Sequence, residues 1–398
     1  MTDRSVLAAS NYNAWPEVFN GQSYAFLNVI SQVENADLLA PYAPAHARGS
    51  GVRPTLGYLG TEFLLRSYSQ VRRLAGWSRY SPMQTVRLEK DYDVFFYMCQ
   101  APMDLAALAS IKGWRERSGI AVAYILETWS RLFERDKAEL RLLDNFDHVF
   151  VLNAASIPKL RNYTKTPCTF LASATDCLLA TPLPNPPSRT IDVFSMGRGS
   201  LKTHQKLVQL GQRDPGFLYV YDTLRRGAVL DWSEQRALTA NLIKRSRFFE
   251  VYAHSVPDRD GLAKSINESC LSTRYFEGAA GGAVLIGSAP PCPEYKDHFD
   301  WTDALIEIPS DPRDMGLILA DLNGQPERLA QAGLSNATQC LRRHDWGHRW
   351  AQILDRLGLD APSELDSRLA RMRSLADSAI PKCSHNSRDP SENRTMNV

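Results

Sequence analysis

Four prolines fall within eight residues near mid-chain, in Thr181-Pro182-Leu183-Pro184-Asn185-Pro186-Pro187-Ser188. Proline lacks an amide hydrogen and holds φ fixed, so such a run cannot sit inside a helix or a central strand. It reads as a stiff linker between two folding units. The chain has 398 residues, so each unit is long enough to bury its own core. The expected division is 1–180, a linker at 181–190, a second unit at 191–360, and a polar tail at 361–398. The end of that tail is rich in Ser, Asn, Arg and Asp with little to bury, so disorder is expected there.

Strands alternate with helices on both sides of the linker. Before it, strands are expected at Val6–Ser10, Asp37–Ala40, Asp93–Met98, Ile120–Leu126, His148–Leu152 and Cys168–Leu171. Helices are expected at Gln22–Val33, Gly57–Leu74, Met103–Glu116, Ser130–Leu143 and Ser156–Asn162. After it, strands are expected at Ile191–Met196, Phe217–Tyr221, Phe248–Tyr252 and Ala283–Gly287, with helices at Thr203–Gly211 and Ser233–Arg245. Pro326–Leu357 reads as helix-rich. This alternation predicts βαβ units and parallel sheets. The fold class is therefore α/β, with two Rossmann-like domains facing each other across a cleft, and the cleft is the expected ligand site.

Bulk properties narrow the function. Lys and Arg total 46 against 44 Asp and Glu, so the basic excess of a nucleic-acid binder is missing. No apolar run approaches the ~20 residues of a membrane helix, and the first residues are too weakly apolar for a signal peptide. The 7 cysteines are scattered without a C-x-x-C pair, which points to cytosolic thiols and a cytoplasmic protein.

The segment Arg274-Tyr275-Phe276-Glu277-Gly278-Ala279-Ala280-Gly281-Gly282-Ala283-Val284-Leu285-Ile286-Gly287 carries the strongest functional signal. It reads as a short helix bearing a carboxylate, a glycine turn, then a buried strand. A carboxylate so placed suits the paired hydroxyls of a ribose. Other marked segments are Phe194-Ser195-Met196-Gly197-Arg198-Gly199-Ser200-Leu201-Lys202, Leu262-Ala263-Lys264-Ser265 and His344-Asp345-Trp346-Gly347-His348-Arg349-Trp350. Together these resemble the C-terminal half of GT-B glycosyltransferases of the group 1 superfamily, and most nearly the spore-maturation-type, CgeB-like branch.

The resemblance implies a glycosyltransferase that moves a sugar from a nucleotide-diphosphate donor, UDP- or GDP-type, to an acceptor: a glycan, a lipid-linked molecule, a protein or a small molecule. No other cofactor and no metal is implied. Glu277 would bind the ribose, Gly281 and Gly282 would make the turn under the nucleotide, and Gly197, Arg198, Lys202 and Lys264 would face the diphosphate. Arg274 precedes Glu277 by one helical turn, so it is read either as a phosphate contact or as the i,i+3 ion-pair partner of Glu277. Many retaining members carry two Glu residues with seven between them. Here Ser269 occupies the first of those positions and Glu268 is one place off, which leaves the stereochemistry open.

An inverting enzyme needs a base for the acceptor hydroxyl. Glu127 follows an apolar strand and is the first candidate, with Asp176 the second. Each has a structural alternative, as a solvated residue before a helix and as a turn residue. His344 and His348 share a helix face, but Gly347 between them and the lack of a third ligand argue against zinc. Trp346 and Trp350 read as packing residues. A sugar-nucleotide epimerase or hydrolase, or a non-catalytic nucleotide-sugar-binding protein, would use the same fold.

Overall fold

The computed structural model describes residues 4–14, 16–42, 68, 70–72, 75, 78–79, 83–223, 228–253 and 268–379. The expected helix Gly57–Leu74 lies largely outside the described residues, as does Lys264. The first half contributes β1 (Ser5–Ser10), β2 (Asn35–Leu39), β3 (Val86–Arg87), β4 (Tyr92–Cys99), β5 (Ile111–Lys112), β6 (Ser118–Ile125), β7 (His148–Val151) and β8 (Cys168–Phe170). The second contributes β9 (Ile191–Ser195), β10 (Tyr219–Tyr221), β11 (Ser246–Val251), β12 (Val284–Gly287) and β13 (Ile306–Glu307). The α-helices of eight residues or more are α1 (Gly21–Val33), α2 (Leu201–Arg213), α3 (Trp232–Lys244), α4 (Thr273–Ala280), α5 (Met315–Asn323), α6 (Pro326–Arg343), α7 (Trp346–Arg356) and α8 (Ser363–Ala379).

Six strands form one sheet in the order β2-β1-β4-β6-β7-β8, and five form another in the order β10-β9-β11-β12-β13. Every pairing within both sheets is parallel. Parallel strands need both faces covered, which is why β4 and β6 read as unbroken apolar runs rather than alternating ones. Phe95, Phe96, Tyr97 and Met98 are all fully buried, as are Val122, Ala123 and Tyr124. A parallel sheet also gathers all its strand C-termini at one edge, where the connecting loops carry function.

Three expectations on secondary structure are corrected. Met103–Glu116 is not an α-helix: a 3-10 stretch, Pro102–Ser110, gives way to β5, because buried Ile111 pairs with β3 and Gly113 turns the chain at φ 81°. Ser130–Leu143 is not one helix but short turns. At its centre, buried Asp136 takes ion pairs from Arg79 and Arg135, so tertiary contacts replace the helical ladder. The tail reading also fails for Ser363–Ala379, which forms α8. Leu365, Met372 and Ala376 are fully buried along one face of it, at helical spacing.

The chain's last turn of topology ties the halves together. The helix α7 leaves the second half and packs into the first, and Trp346 and Trp350 are packing residues, as their spacing predicts. Trp346, Trp350, Ile353 and Leu354 share a core with Val6, Phe26 and Phe96. The Trp346 ring stacks on Phe26 at 4.5 Å between centroids, and Trp350 meets Phe96 edge-on at 5.5 Å. The crossing is pinned at Asp345, which is fully buried. Its carboxylate accepts from the Cys177 amide at 2.8 Å, the Gly347 amide at 2.7 Å, and Arg368 Nε and Nη2, each at 2.8 Å.

Removing one partner from a buried charge cluster strands the others, at a cost of about 3–5 kcal/mol. Asp345→Ala is therefore expected to destabilise the protein by about that amount in chemical denaturation. A loss under about 1 kcal/mol would mean that the cluster is not what holds the crossing.

Candidate active site

The C-terminal edges of the two sheets meet at a cleft and touch across it. Glu268 Oε2, beside α4, accepts from the Ser130 amide at 3.0 Å and from Asn153 Nδ2 at 2.8 Å, beyond β6 and β7. The hydroxyls of Ser173 and Thr273 bond at 2.6 Å. Glu268, one place from the carboxylate position of retaining enzymes, thus acts here as a bridge between the halves.

Glu127 stands at this edge, just past β6. Its carboxylate accepts from Gln100 Nε2 at 3.0 Å and from Trp129 Nε1 at 3.3 Å. Sequence reasoning missed its neighbour, Asp104. Asp104 Oδ2 accepts from the Ala101 amide at 2.9 Å, and its carboxyl also bonds the Asn11 side chain. Burial raises its pKa to about 6, and the nearby negative charge of Glu127 adds to the rise. The Ala-Pro-Met-Asp order, with a carboxylate three residues after the chain bend, signals a cap. Nothing in it signals proximity to Glu127, which lies 23 residues further on (127 − 104).

On the opposite edge, Gly197 follows β9 with φ 64°, a backbone that glycine adopts without strain, and its amide donates to Asp222 Oδ2 at 2.5 Å. Arg198 is exposed beside it. The Arg274 side chain packs against Gly197, with its Cδ 3.7 Å from where a β-carbon would sit. Arg274 Nη2 donates to the Tyr252 carbonyl at 3.3 Å, while its buried Nη1 has no hydrogen-bond partner among the described residues. Burial lowers the guanidinium's pKa, and the like charge of Arg198 lowers it further.

Other buried polar atoms at this edge also have no hydrogen-bond partner among the described residues: Ser195 Oγ, Ser269 Oγ and Ser272 Oγ. The Ser272 side chain at the N-cap of α4 makes no cap hydrogen bond, while the Tyr275 amide donates to the Ser272 carbonyl at 3.2 Å. The Cys270 thiol links the two edges. Burial raises its pKa, the Glu127 carboxylate raises it further, and Arg198 opposes the rise. The charges of Glu127 and Arg198 are thus both felt at Cys270.

Other residues picked from the sequence are placed differently. Glu277 lies in α4, only 3% exposed, and its Oε1 accepts from Arg236 Nη2 at 2.7 Å and from Gln22 Nε2 at 2.6 Å. Its ion pair is thus with Arg236 of α3, and Gln22 reaches it from the first half. Lys202 is exposed in the first turn of α2.

Gly281 and Gly282 do not make a turn under the nucleotide. They join the end of α4 to the start of β12, so they sit at the N-terminal edge of the sheet, away from the cleft. Their small size serves packing. A β-carbon on Gly281 would fall 2.4 Å from Ile243 Cγ2, and the Gly282 carbonyl takes a hydrogen bond from Arg189 Nη2 at 2.5 Å. Asp176 is structural: it caps the helical turn Cys177–Ala180 and pairs with Arg368 at 2.6 Å. The rings of His344 and His348 bond the backbone carbonyls of His298 and Leu341, at 2.7 and 3.3 Å.

Two parallel α/β sheets with their C-terminal edges on a common cleft, and a late helix returning to the first core, make a GT-B architecture. Residues 218–355 match the family model described as Glycosyl transferase-like. No curated protein matches the chain. Among solved structures, the chain is similar to a glycosyltransferase from Rickettsia africae ESF-5, at 9% identity and TM-score 0.48, covering 89% of this chain and 98% of that one. It is similar to an alpha-glucosyltransferase in complex with UDP-glucose and DNA containing an abasic site, at 10% identity and TM-score 0.48, covering 89% and 99%. It is also similar to an alpha,alpha-trehalose-phosphate synthase (UDP-forming) from Burkholderia vietnamiensis, at 13% identity and TM-score 0.48, covering 92% and 99%. No helix among the described residues is long and apolar enough to cross a membrane.

The Asp104 environment gives a pH prediction. Its folded pKa of about 6 lies above the ordinary 3.8, so between these values the folded state holds more protons than the unfolded. Its ionisation therefore costs stability as pH rises through that window, and the full cost is present above pH 6. Asp104→Asn keeps an acceptor for the Ala101 amide and removes the charge. The melting temperature of the variant relative to the wild type is expected to rise from pH 4 to pH 7. A constant difference across that range would mean that Asp104 ionises as an ordinary carboxylate.

Proposed function

We propose that the protein is a glycosyltransferase that takes its sugar from a nucleoside-diphosphate sugar and works without a resident metal ion. The observation that carries this reading is the buried Nη1 of Arg274, which has no hydrogen-bond partner among the described residues, at the N-terminus of α4, where no side chain caps the helix and Arg198 is close enough to be felt. The positive charge of Arg198 is felt at Arg274, where the Glu250 and Glu277 carboxylates oppose it in part, and a bound anion would offset it further. A helix N-terminus adds amide donors and positive potential at the same point. A diphosphate satisfies all of these groups at once, and Arg binds it bidentately. The match of residues 218–355 to a glycosyl transferase-like family supports the same class of chemistry. The Arg274–Gly287 segment supports the spore-maturation-type branch.

In this scheme Glu127 is the base. The acceptor oxygen attacks the anomeric carbon and its proton passes to the Glu127 carboxylate. The bond from that carbon to the diphosphate oxygen breaks, and the electron pair leaves with the diphosphate. Arg198, Arg274 and the α4 amides stabilise the charge that gathers there. Direct attack of this kind inverts the anomeric centre. Glu277 takes the ribose hydroxyls by exchange, with Gln22 giving way while the Arg236 ion pair holds the carboxylate in place. Lys202 and Lys264 supplement the positive field around the phosphates.

A thermal-shift screen against UDP- and GDP-sugars is expected to find a stabilising donor, since a bound ligand shifts the melt by mass action. Arg274→Ala should abolish the shift, and chelation with EDTA should not. Glu127→Gln should keep the shift and lower kcat by about 10²–10⁴-fold, the usual contribution of a general base. Absence of a shift with every nucleotide sugar, or an intact shift in Arg274→Ala, would overturn the assignment.

Glu277 and Gln22 are separable. A charge-assisted hydrogen bond to ligand contributes about 1.5–3 kcal/mol, so Glu277→Ala should weaken the nucleotide about ten- to a hundred-fold. Gln22→Ala should leave affinity equal or higher, because the amide competes with ribose. Equal losses in the two variants, measured by calorimetry, would assign both residues to holding the halves together.

A further inference from the structure

A cavity of about 320 Å³ opens at the side of the cleft, walled by Tyr12, Asn13 and Tyr24 from the first half and by Asp231, Trp232 and Ser233 from the second. We infer that this cavity is a sugar-ring subsite for the glycosyl acceptor. The inference rests on the transferase reading above and adds to it the class of acceptor and its place.

Three observations carry it. The first is the aromatic wall. Tyr12 meets Tyr24 edge-on at 5.8 Å and Trp232 edge-on at 5.7 Å, while Tyr24 and Trp232 lie nearly parallel, 21° apart. Trp232 is fixed by a 2.9 Å hydrogen bond from its indole nitrogen to Asn13 Oδ1. Tyr12 and Trp232 are largely buried behind this wall, and the half-buried Tyr24 is the ring left to meet the C–H face of a pyranose.

The second is the polar rim. Asp231 Oδ1 caps α3 through the Ser233 and Glu234 amides, at 2.9 and 3.1 Å, which holds the carboxylate at the cavity. The Tyr24 hydroxyl bonds the Ser233 side chain. Short polar groups among aromatic rings are what a hydroxyl-rich ring with an apolar face needs, and the volume falls in the range of about 300–1,000 Å³ usual for small-molecule sites.

The third is position. Tyr12 and Asn13 follow Asn11, whose side chain bonds Asp104 next to Glu127. The cavity and the proposed base therefore share the loop after β1. The walls are also joined directly: the Val229 amide donates to the Pro16 carbonyl at 2.7 Å, and Glu17 pairs with Ala228 as an antiparallel bridge. The subsite is complete only when the two halves are together.

The test is saturation-transfer NMR with the methyl glycosides of glucose, galactose, mannose and N-acetylglucosamine, run on the full-length protein, with a UDP and GDP thermal shift in parallel. At least one glycoside should show saturable transfer. Tyr24→Ala and Asp231→Asn should each weaken it tenfold or more while leaving the nucleotide shift unchanged; Asn keeps the helix cap, so the second variant folds. Lack of transfer from every glycoside, or transfer of equal affinity in both variants, would overturn the subsite. If the nucleotide shift persists in that case, the transferase reading stands and the subsite alone fails. If the shift is missing as well, both fall.

Discussion

The structure depends on a buried carboxylate. Asp345 sits where α7 leaves the second half for the first, and its oxygens take four donors from three separate segments of chain. Arg368, its ion-pair partner, also reaches Asp176 and Gln32, so a single guanidinium joins α8, the end of the first half and α1. A charge this deep is tolerable only when every lone pair is met. That requirement holds the return crossing in one geometry. The aromatic pile of Phe26, Trp346, Trp350 and Phe96 then fills the space that the crossing defines.

The cleft follows the opposite rule. At its second edge, buried polar atoms go unsatisfied: Ser195 Oγ, Ser272 Oγ and Arg274 Nη1. Orphaned groups cost free energy, and a fold that meets the needs of Asp345 so fully has no packing reason to leave three of them together. Their common position at strand ends and a helix N-terminus is the reason to assign them to an anion. Across the cleft, Asp104 and Glu127 crowd two carboxyls into one region, and burial together with their mutual repulsion keeps one of them protonated to about pH 6.

Much of the fold was legible in order. The proline run marked the division, and apolar runs such as Phe95–Met98 marked the buried strands, because a strand covered on both faces has no polar positions to confuse the pattern. The places of Glu127 and Arg198 at the strand ends were legible too, since each lies just past such a strand and parallel strands present their ends to the cleft. Gly281 and Gly282 misled. A glycine turn between helix and strand looks the same at either edge of a sheet, and chain direction puts this one at the edge away from the cleft. Ser363–Ala379 misled for another reason: its apolar residues are few, and only the groove beneath them gives Leu365 and Met372 something to bury against.

The sequence alone determined the alternation of strand and helix, the break at the linker, and the residue types able to hold a diphosphate, because each is a local property of side chains and backbone. Tertiary structure decided which of those residues meet. Glu277 pairs with Arg236 and Gln22, not with its helical neighbour Arg274, and Glu268 binds the far half of the molecule. The aromatic cavity joins Tyr12 to Trp232 across 220 residues (232 − 12). Contacts at such separation depend on how two sheets are docked. That docking is set by a helix crossing and a buried ion pair whose partners no local pattern identifies.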